Sequence, residues 1–195
     1  LGVRGTEDLG GGLKAFFHLE TDFSPDSASG TFATRNSGVG LRSNWGTVIM
    51  GRWDTPFKVA HAAVVDPFEN NSLADITGVT LNQGNFSRRE PNSLQYWSPD
   101  WSGLTFRANF SVNEGKTATV NPYLYSASVT YRKGSLYASY AWEKHFDQSG
   151  ATPTAGVDEE GNIVSASYVL GAVKLFGQYG EYKKTNTNTQ KSYLA

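Results

Sequence analysis

The sequence of 195 residues contains no cysteine and only one methionine. The absence of cysteine excludes thiolate-bound zinc, iron–sulfur clusters and disulfide frameworks. Charged residues make up 18% of the chain, against about 25% in typical soluble domains. The net charge of −1 gives no electrostatic reason for binding nucleic acid. No uncharged apolar run approaches the roughly 18 residues that identify a transmembrane helix.

Aromatic residues and glycine are abundant, at 13% of the chain and 21 residues respectively. Apolar and polar residues alternate with a period of two, which predicts strands with one apolar and one polar face. The clearest run is Leu104–Val112, where every even position is apolar and every odd position is polar. In the run at residues 13–23, Phe16 interrupts the polar face. Further runs cover residues 13–23, 125–132, 136–142, 164–168 and 173–179, and residues 60–65 fit a helical turn.

The connections between these runs alternate strictly between short and long. The short ones cover residues 9–12, 44–46, 99–103, 133–134 and 170–171, and the long ones cover 24–34, 55–88, 114–122, 146–161 and 184–190. In an up-and-down antiparallel sheet, successive connections lie at opposite ends, so all the short turns share one end. This asymmetry, with strands of about nine to eleven residues, is typical of a transmembrane β-barrel.

A soluble barrel or sandwich with its apolar face inward shows the same alternation. Two features favour lipid contact instead. Charged residues such as Arg107, Lys174 and Glu20 occupy mid-strand positions on the polar face, and tyrosine and tryptophan cluster toward the ends of the apolar faces. We therefore predict an all-β protein, a transmembrane antiparallel up-and-down β-barrel whose apolar face meets hydrocarbon.

Five segments resemble the general porins of Gram-negative outer membranes, of the betaproteobacterial type. They cover residues 5–15, 39–41, 46–52, 92–99 and 166–179, and the most specific is Gly-Thr-Glu-Asp-Leu-Gly-Gly-Gly-Leu-Lys at residues 5–14. The resemblance implies a 16-stranded barrel, of which about ten strands are represented here. Residues 1–195 would then be part of a single barrel domain in the outer membrane, and we expect the whole molecule to be longer.

The resemblance also implies a passive diffusion channel for ions and small hydrophilic solutes. The connection 55–88 would be the loop that folds into the lumen and narrows it, with acidic groups facing a basic barrel wall across an aqueous gap. Rings of charge of this kind set ion preference, and the excess of basic wall residues predicts mild anion preference. The candidate lining residues are Lys14, Arg42, Arg52, Asp54, Asp66, Glu69, Asp75, Arg89, Arg107, Arg132 and Lys174.

The orientation of two arginines is open at this level. Arg52 shares parity with Val48 and Met50, so strict alternation directs it outward, unless a bulge at Gly51 turns it toward the lumen. Arg35 has the same parity problem.

Other chemistry finds little support in the sequence. His18, His61 and His145 are not clustered, and Gly10-Gly11-Gly12 is better explained as a tight turn than as a phosphate loop. We expect no catalytic residue, metal or cofactor. The expected partners are further copies in a homotrimer, outer-membrane lipid and lipopolysaccharide, and small solutes, with no nucleic acid. The alternatives are a soluble β-barrel or surface adhesin-type binding module and, with less support, an outer-membrane barrel enzyme.

Overall fold

A computed structural model describes residues 1–22, 24, 26, 30–65, 85–86 and 88–194. These residues form thirteen strands and one helix. The strands are β1 Gly2–Gly10, β2 Leu13–Glu20, β3 Ser37–Ser43, β4 Gly46–Asp54, β5 Arg89–Trp97, β6 Leu104–Val112, β7 Tyr123–Lys133, β8 Leu136–Phe146, β9 Gln148–Ser149, β10 Thr152–Pro153, β11 Glu159–Leu170, β12 Val173–Lys184 and β13 Gln190–Leu194, and the helix α1 is Pro56–Val65.

Eleven of the strands form a single antiparallel sheet in which each strand pairs with its neighbours along the chain. The other two strands, β9 and β10, form a small separate hairpin inside the connection from β8 to β11. The predicted up-and-down meander is confirmed, and β6 has the predicted bounds. Tight turns follow β1, β3, β7 and β11, and Gly134 and Gly171 adopt the left-handed φ values of +55° and +58° that such turns favour.

The two faces of the sheet differ as the alternation predicts. On β6, Phe110 and Val112 are 37% and 45% exposed, whereas Asn109 and Ser111 are 4% and 2% exposed. Buried polar side chains of β5 and β6 are hydrogen-bonded to one another; Ser93 Oγ, for example, donates to Asn109 Oδ1 at 2.5 Å. The apolar residues therefore lie on the open outer face, which is the reverse of a soluble barrel.

Helix α1 lies on the polar inner face, where it contacts β6, β7, β8, β11 and β12. The side chain of Thr55 caps its first turn by accepting a hydrogen bond from the Lys58 amide at 3.2 Å, and Pro56 follows at the first helical position. One short helix reaches all these strands because the inner face is concave around it. Within the described part of the chain, no helix combines the length and hydropathy needed to cross a membrane.

Two further contacts attach α1 to the sheet. The Phe57 amide donates to Ser126 Oγ at 3.1 Å, and the Tyr137 hydroxyl donates to the Ala60 carbonyl at 3.2 Å. The aromatic ring of Phe86, which precedes β5, returns to the same place and lies 5.4 Å from the Phe57 ring. The buried apolar cluster thus lies between the helix and the inner wall, and it comprises Phe57, Ala60, Phe86, Ala141, Ile163 and Tyr182.

Candidate functional site

Three of the predicted basic residues lie on one lateral row of the inner face near the tight-turn end. In the strand register, Lys14 pairs with Arg42, Arg42 with Thr47, Thr47 with Trp97, and Trp97 with Arg107. Within the described ranges, none of these three cations has an ion-pair partner. The row therefore presents uncompensated positive charge to the interior of the sheet.

Aromatic rings support the arginines at this end. The Arg42 guanidinium lies 5.1 Å from the Phe16 ring centroid, and Arg107 lies 5.0 Å from the ring of Trp97. Arg132 lies 4.8 Å from Tyr137, its cross-strand neighbour. Cation–π contacts of this kind hold a guanidinium against the wall without neutralising it. Lys174 lies exposed on the same face of β12, also near a tight turn.

The predicted residues Asp54 and Arg89 meet directly at the opposite, long-loop end of the sheet, where β4 ends and β5 begins. Arg89 Nη2 lies 3.2 Å from Asp54 Oδ1, and Lys58 Nζ of α1 lies 2.8 Å from the same oxygen. Asn36 Nδ2 donates to Asp54 Oδ2 at 2.9 Å. Asp54 and Arg89 therefore form a contact ion pair that fastens α1 to the start of β5, instead of facing each other across a gap.

Arg52 points away from the inner wall. The register shift between β4 and β5 does fall at residues 51–53, but it inserts its extra residue into β5, where Asn92 has a φ of +48°. Alternation along β4 continues unbroken, so Trp53 faces inward and Arg52 faces outward, beside Met50. The Arg52 Nε donates to the Thr34 carbonyl at 2.9 Å. The bulge in β4 that would have turned Arg52 toward the lumen does not occur, so this candidate lining residue lies on the outer side.

The residues that remain to be placed are Arg35, whose orientation was open, and the three acidic residues of the long loop. Arg35 lies in the connection between β2 and β3, where Nε binds Glu20 at 2.7 Å and Nη1 binds Asp22 at 3.1 Å. The hydrogen bond to Glu20 raises the pKa of Arg35 above its usual range. The acidic loop residues Asp66, Glu69 and Asp75 lie outside the described residues.

A buried polar cluster beside the end of the long loop was not predicted. His145 is completely buried, with Nε2 2.8 Å from Glu143 Oε1 and Nδ1 3.3 Å from Glu159 Oε2. The Phe86 ring stacks on the imidazole at 4.8 Å. Lys184 Nζ lies 3.4 Å from Glu159 Oε1, and Asn85 Nδ2 donates to the same oxygen at 2.9 Å. This cluster joins the loop segment 85–86 to strands β8, β11 and β12.

The cluster escaped sequence reasoning because its parts come from distant positions. Alternation places Glu143 and His145 on one face of β8, and this signal was available. Glu159 lies opposite His145 only through the β8–β11 register, which the sequence does not specify. A second ion pair, Arg88 Nε with Glu90 Oε1 at 2.5 Å, extends the polar cluster at the start of β5.

The connections at this end are also tied to one another outside the strands. Both oxygens of Asp147 accept backbone amides, Oδ2 from Asn121 and Oδ1 from Gly156, each at 2.9 Å. These hydrogen bonds favour the ionised carboxylate and lower the pKa of Asp147 below its ordinary value of 3.8.

Comparison with known proteins relates this geometry to a family. A family model described as Gram-negative porin matches residues 1–195. The chain is 32% identical over 196 residues to outer membrane porin protein 32 of Delftia acidovorans, covering 91% of this chain and 52% of that protein. It is 31% identical over 169 residues to the major outer membrane protein P.IA of Neisseria meningitidis serogroup C, covering 73% of this chain and 42% of that protein.

Solved structures show the same relationship. The anion-selective porin from Comamonas acidovorans has a TM-score of 0.77 and 27% identity, over 98% of this chain and 60% of that chain. A loop L8 deletion mutant of OmpT from Vibrio cholerae shares the fold, with a TM-score of 0.66 and 18% identity over 95% of this chain and 62% of that one. The chain spans about half the length of the curated relatives it matches. It belongs to the Gram-negative porin family of outer-membrane proteins.

Proposed function

We propose that the complete protein is a passive diffusion channel for ions and small hydrophilic solutes across the outer membrane, with a preference for anions. The observation that carries this proposal is the row of Lys14, Arg42 and Arg107 on the inner face, opposite an apolar outer face; within the residues that the structure describes, these cations make no ion pair. Positive charge along a water-filled lumen raises the local concentration of anions. A solved relative at 27% identity is titled an anion-selective porin.

We further propose that the connection 55–88 lies inside the barrel and narrows it. Support comes from its two ends, since α1 packs on the inner face and Phe86 returns to the same face. Asp66, Glu69 and Asp75 would then face the basic wall. The wall residues in this proposal are Lys14, Arg42, Arg89, Arg107, Arg132 and Lys174, with Asp54 as the anchor of the loop.

The assembly we propose is a homotrimer, with residues 1–195 forming part of one barrel in each subunit. The outer face of β1–β4 carries an apolar groove of about 710 Å³, lined by Gly5, Phe17, Val39, Leu41 and Met50 among others. Such a groove suits a neighbouring apolar surface, and the rest of the outer face would meet lipid and lipopolysaccharide. The exposed apolar rows also argue against a soluble adhesin-type module.

Reconstitution of the full-length protein in planar bilayers tests the channel function. We expect discrete conductance steps in KCl and a reversal potential in a salt gradient that indicates anion preference. The double substitution Arg42→Gln with Arg107→Gln should shift that potential toward cations. A wild-type reversal potential that favours cations would overturn the anion preference, and the absence of conductance would overturn the channel itself.

A further inference from the structure

A cavity of about 380 Å³ lies on the inner face of β1–β5, beside Lys14 and Arg42 of the row of cations. Its size is within the range of small-molecule sites, roughly 300–1,000 Å³. The lining combines cationic and aromatic side chains. The residues concerned are Arg4, Lys14 and Arg42, with the rings of Phe16, His18, Trp53 and Trp97.

Glycine on β3 allows the Phe16 ring to lie on the wall beside this cavity. Gly38 and Gly40 occupy the inner-face positions next to Arg42, so β3 contributes no other side chain there. The Phe16 ring lies over Gly40, where an added Cβ would approach the ring to 2.7 Å. The aromatic residue that interrupts the polar pattern of β2 therefore fills a space that glycine leaves open.

The cations in this cavity have capacity for an anion. Arg42 donates its Nε–H to Thr47 Oγ1 at 3.3 Å, and among the described residues no acceptor receives its two terminal amino groups. Lys14 is its direct cross-strand neighbour. The acid opposite Lys14 is Asp8, whose Oδ1 accepts the Gly10 amide in the turn at 2.8 Å. Adjacent positive charges with no carboxylate partner favour a bound anion.

The aromatic rings give this cavity a second kind of contact. The rings of Trp53 and Trp97 lie 5.4 Å apart at an angle of 57°, and the His18 ring lies 5.4 Å from Trp53. Both tryptophans are only half-buried, so part of their surface faces the cavity. Elsewhere on the wall, Arg132 has a single ring beside it and lies outside the cavity.

We propose that this cavity is a binding site for aromatic carboxylates of single-ring size. The carboxylate binds the free guanidinium edge of Arg42 and the Lys14 ammonium, and the aromatic ring packs against Trp53 and Trp97. Bidentate recognition fixes the carboxylate, and ring contacts distinguish an aromatic solute from an aliphatic one of equal charge. This inference rests on the proposed channel function and names a solute class that the channel favours.

Block of ion current in the full-length protein tests the site. The KCl conductance of reconstituted channels is titrated with benzoate and, in parallel, with cyclohexanecarboxylate, which has the same charge and a similar size without an aromatic ring. We expect benzoate to halve the conductance at a concentration about fivefold lower, which corresponds to roughly 1 kcal/mol of ring contact. Equal half-blocking concentrations in the wild type would overturn the proposal.

Variants locate the effect within the cavity. Trp97→Leu should abolish the difference between the two anions, and Trp97→Phe should retain most of it. Arg42→Gln should weaken block by both anions, because it removes the carboxylate partner. The matched control Arg132→Gln also removes one wall cation with a ring contact, and it should leave the benzoate preference unchanged.

The outcomes separate this site from the channel function. Conducting channels without benzoate preference overturn the site and leave the channel intact, whereas a protein that never conducts overturns the channel. If Trp97→Leu fails to assemble, the comparison of Arg42→Gln with Arg132→Gln still shows whether benzoate block depends on this cavity. Loss of benzoate block in both arginine variants to the same extent would show general charge attraction and would overturn the site.

Discussion

The two ends of the inner wall use charge in opposite ways, although they lie on the same face of one sheet. At the tight-turn end, Lys14, Arg42 and Arg107 carry positive charge and make no ion pair with a carboxylate in the described structure. At the long-loop end, acids and bases are buried in contact, as Glu143 is with His145. Charge at the first end is available to solutes, and charge at the second end holds the loop against the wall.

The difference follows from what covers each end. Helix α1 and the segment 85–86 exclude water from the long-loop end, and a buried charge there is costly unless it is paired and hydrogen-bonded. At the tight-turn end, Lys14 and Arg42 lie exposed, so water can solvate them and they need no partner. The same residue types therefore take a structural role at one end and remain free at the other.

Replacement of His145 should cause the largest loss of stability, because it removes the central group of the buried polar cluster at the long-loop end. His145→Ala leaves the buried carboxylates of Glu143 and Glu159 close together without the group between them. Loss of one partner from a buried ionic cluster costs about 3–5 kcal/mol. We expect a lower midpoint of urea unfolding in detergent and a changed conductance as the loop detaches. Lys174→Ala at the tight-turn end is the control, and an equal midpoint for both variants would contradict the comparison.

A side chain added at Gly161, beneath the Phe86 ring, should cause an intermediate loss of stability. A Cβ at Gly161 would lie 2.9 Å from the Phe86 ring, so Gly161→Ala forces the ring off the wall. Overpacking of this kind costs about 1–3 kcal/mol. We expect faster proteolysis within the connection 55–88 and a lower unfolding midpoint. The double variant Gly161→Ala with Phe86→Leu should recover part of the loss, and no recovery would argue against this contact.

Acidification should cause the smallest loss of stability, and this loss should be confined to the connections that Asp147 joins by hydrogen bonds. Because the pKa of Asp147 is lower in the folded protein than its ordinary 3.8, its ionised form stabilises the fold above that pH. This contribution is lost as the pH falls through the folded pKa. We expect amide exchange at Asn121 and Gly156, corrected for intrinsic rates, to accelerate below pH 3.8 relative to Asp147→Asn. Parallel pH profiles for the two proteins would refute the role of this carboxylate.

Local patterns predicted much of the fold. The run Leu104–Val112 became β6 with the same bounds, because a nine-residue alternation leaves no competing periodicity. The short and long connections fell at opposite ends, and residues 60–65 belong to a longer helix that begins at Pro56. That helix extends further because Thr55 caps it and the inner wall supports it, and neither contact is visible in the apolar pattern.

The candidate site was less accessible to sequence reasoning. The basic residues Lys14, Arg42 and Arg107 were identified by parity alone, which is sufficient for a regular strand. Parity also gave the correct outward direction for Arg52, and the suggested bulge did not change it because the extra residue entered the neighbouring strand. His145 is not clustered with the other histidines in the sequence. Parity places Glu143 on the same face, but Glu159 lies fourteen residues away and becomes adjacent only by cross-strand pairing.

By itself, the sequence determined the strand meander, which residues share the apolar face and the sign of charge on much of the polar face, because these depend on neighbours one or two residues apart. Only the tertiary structure decided which charges are paired and which are free. That distinction depends on the lateral register of strands and on the path of α1 and Phe86 across them. These contacts join residues far apart in the chain, where alternation carries no information.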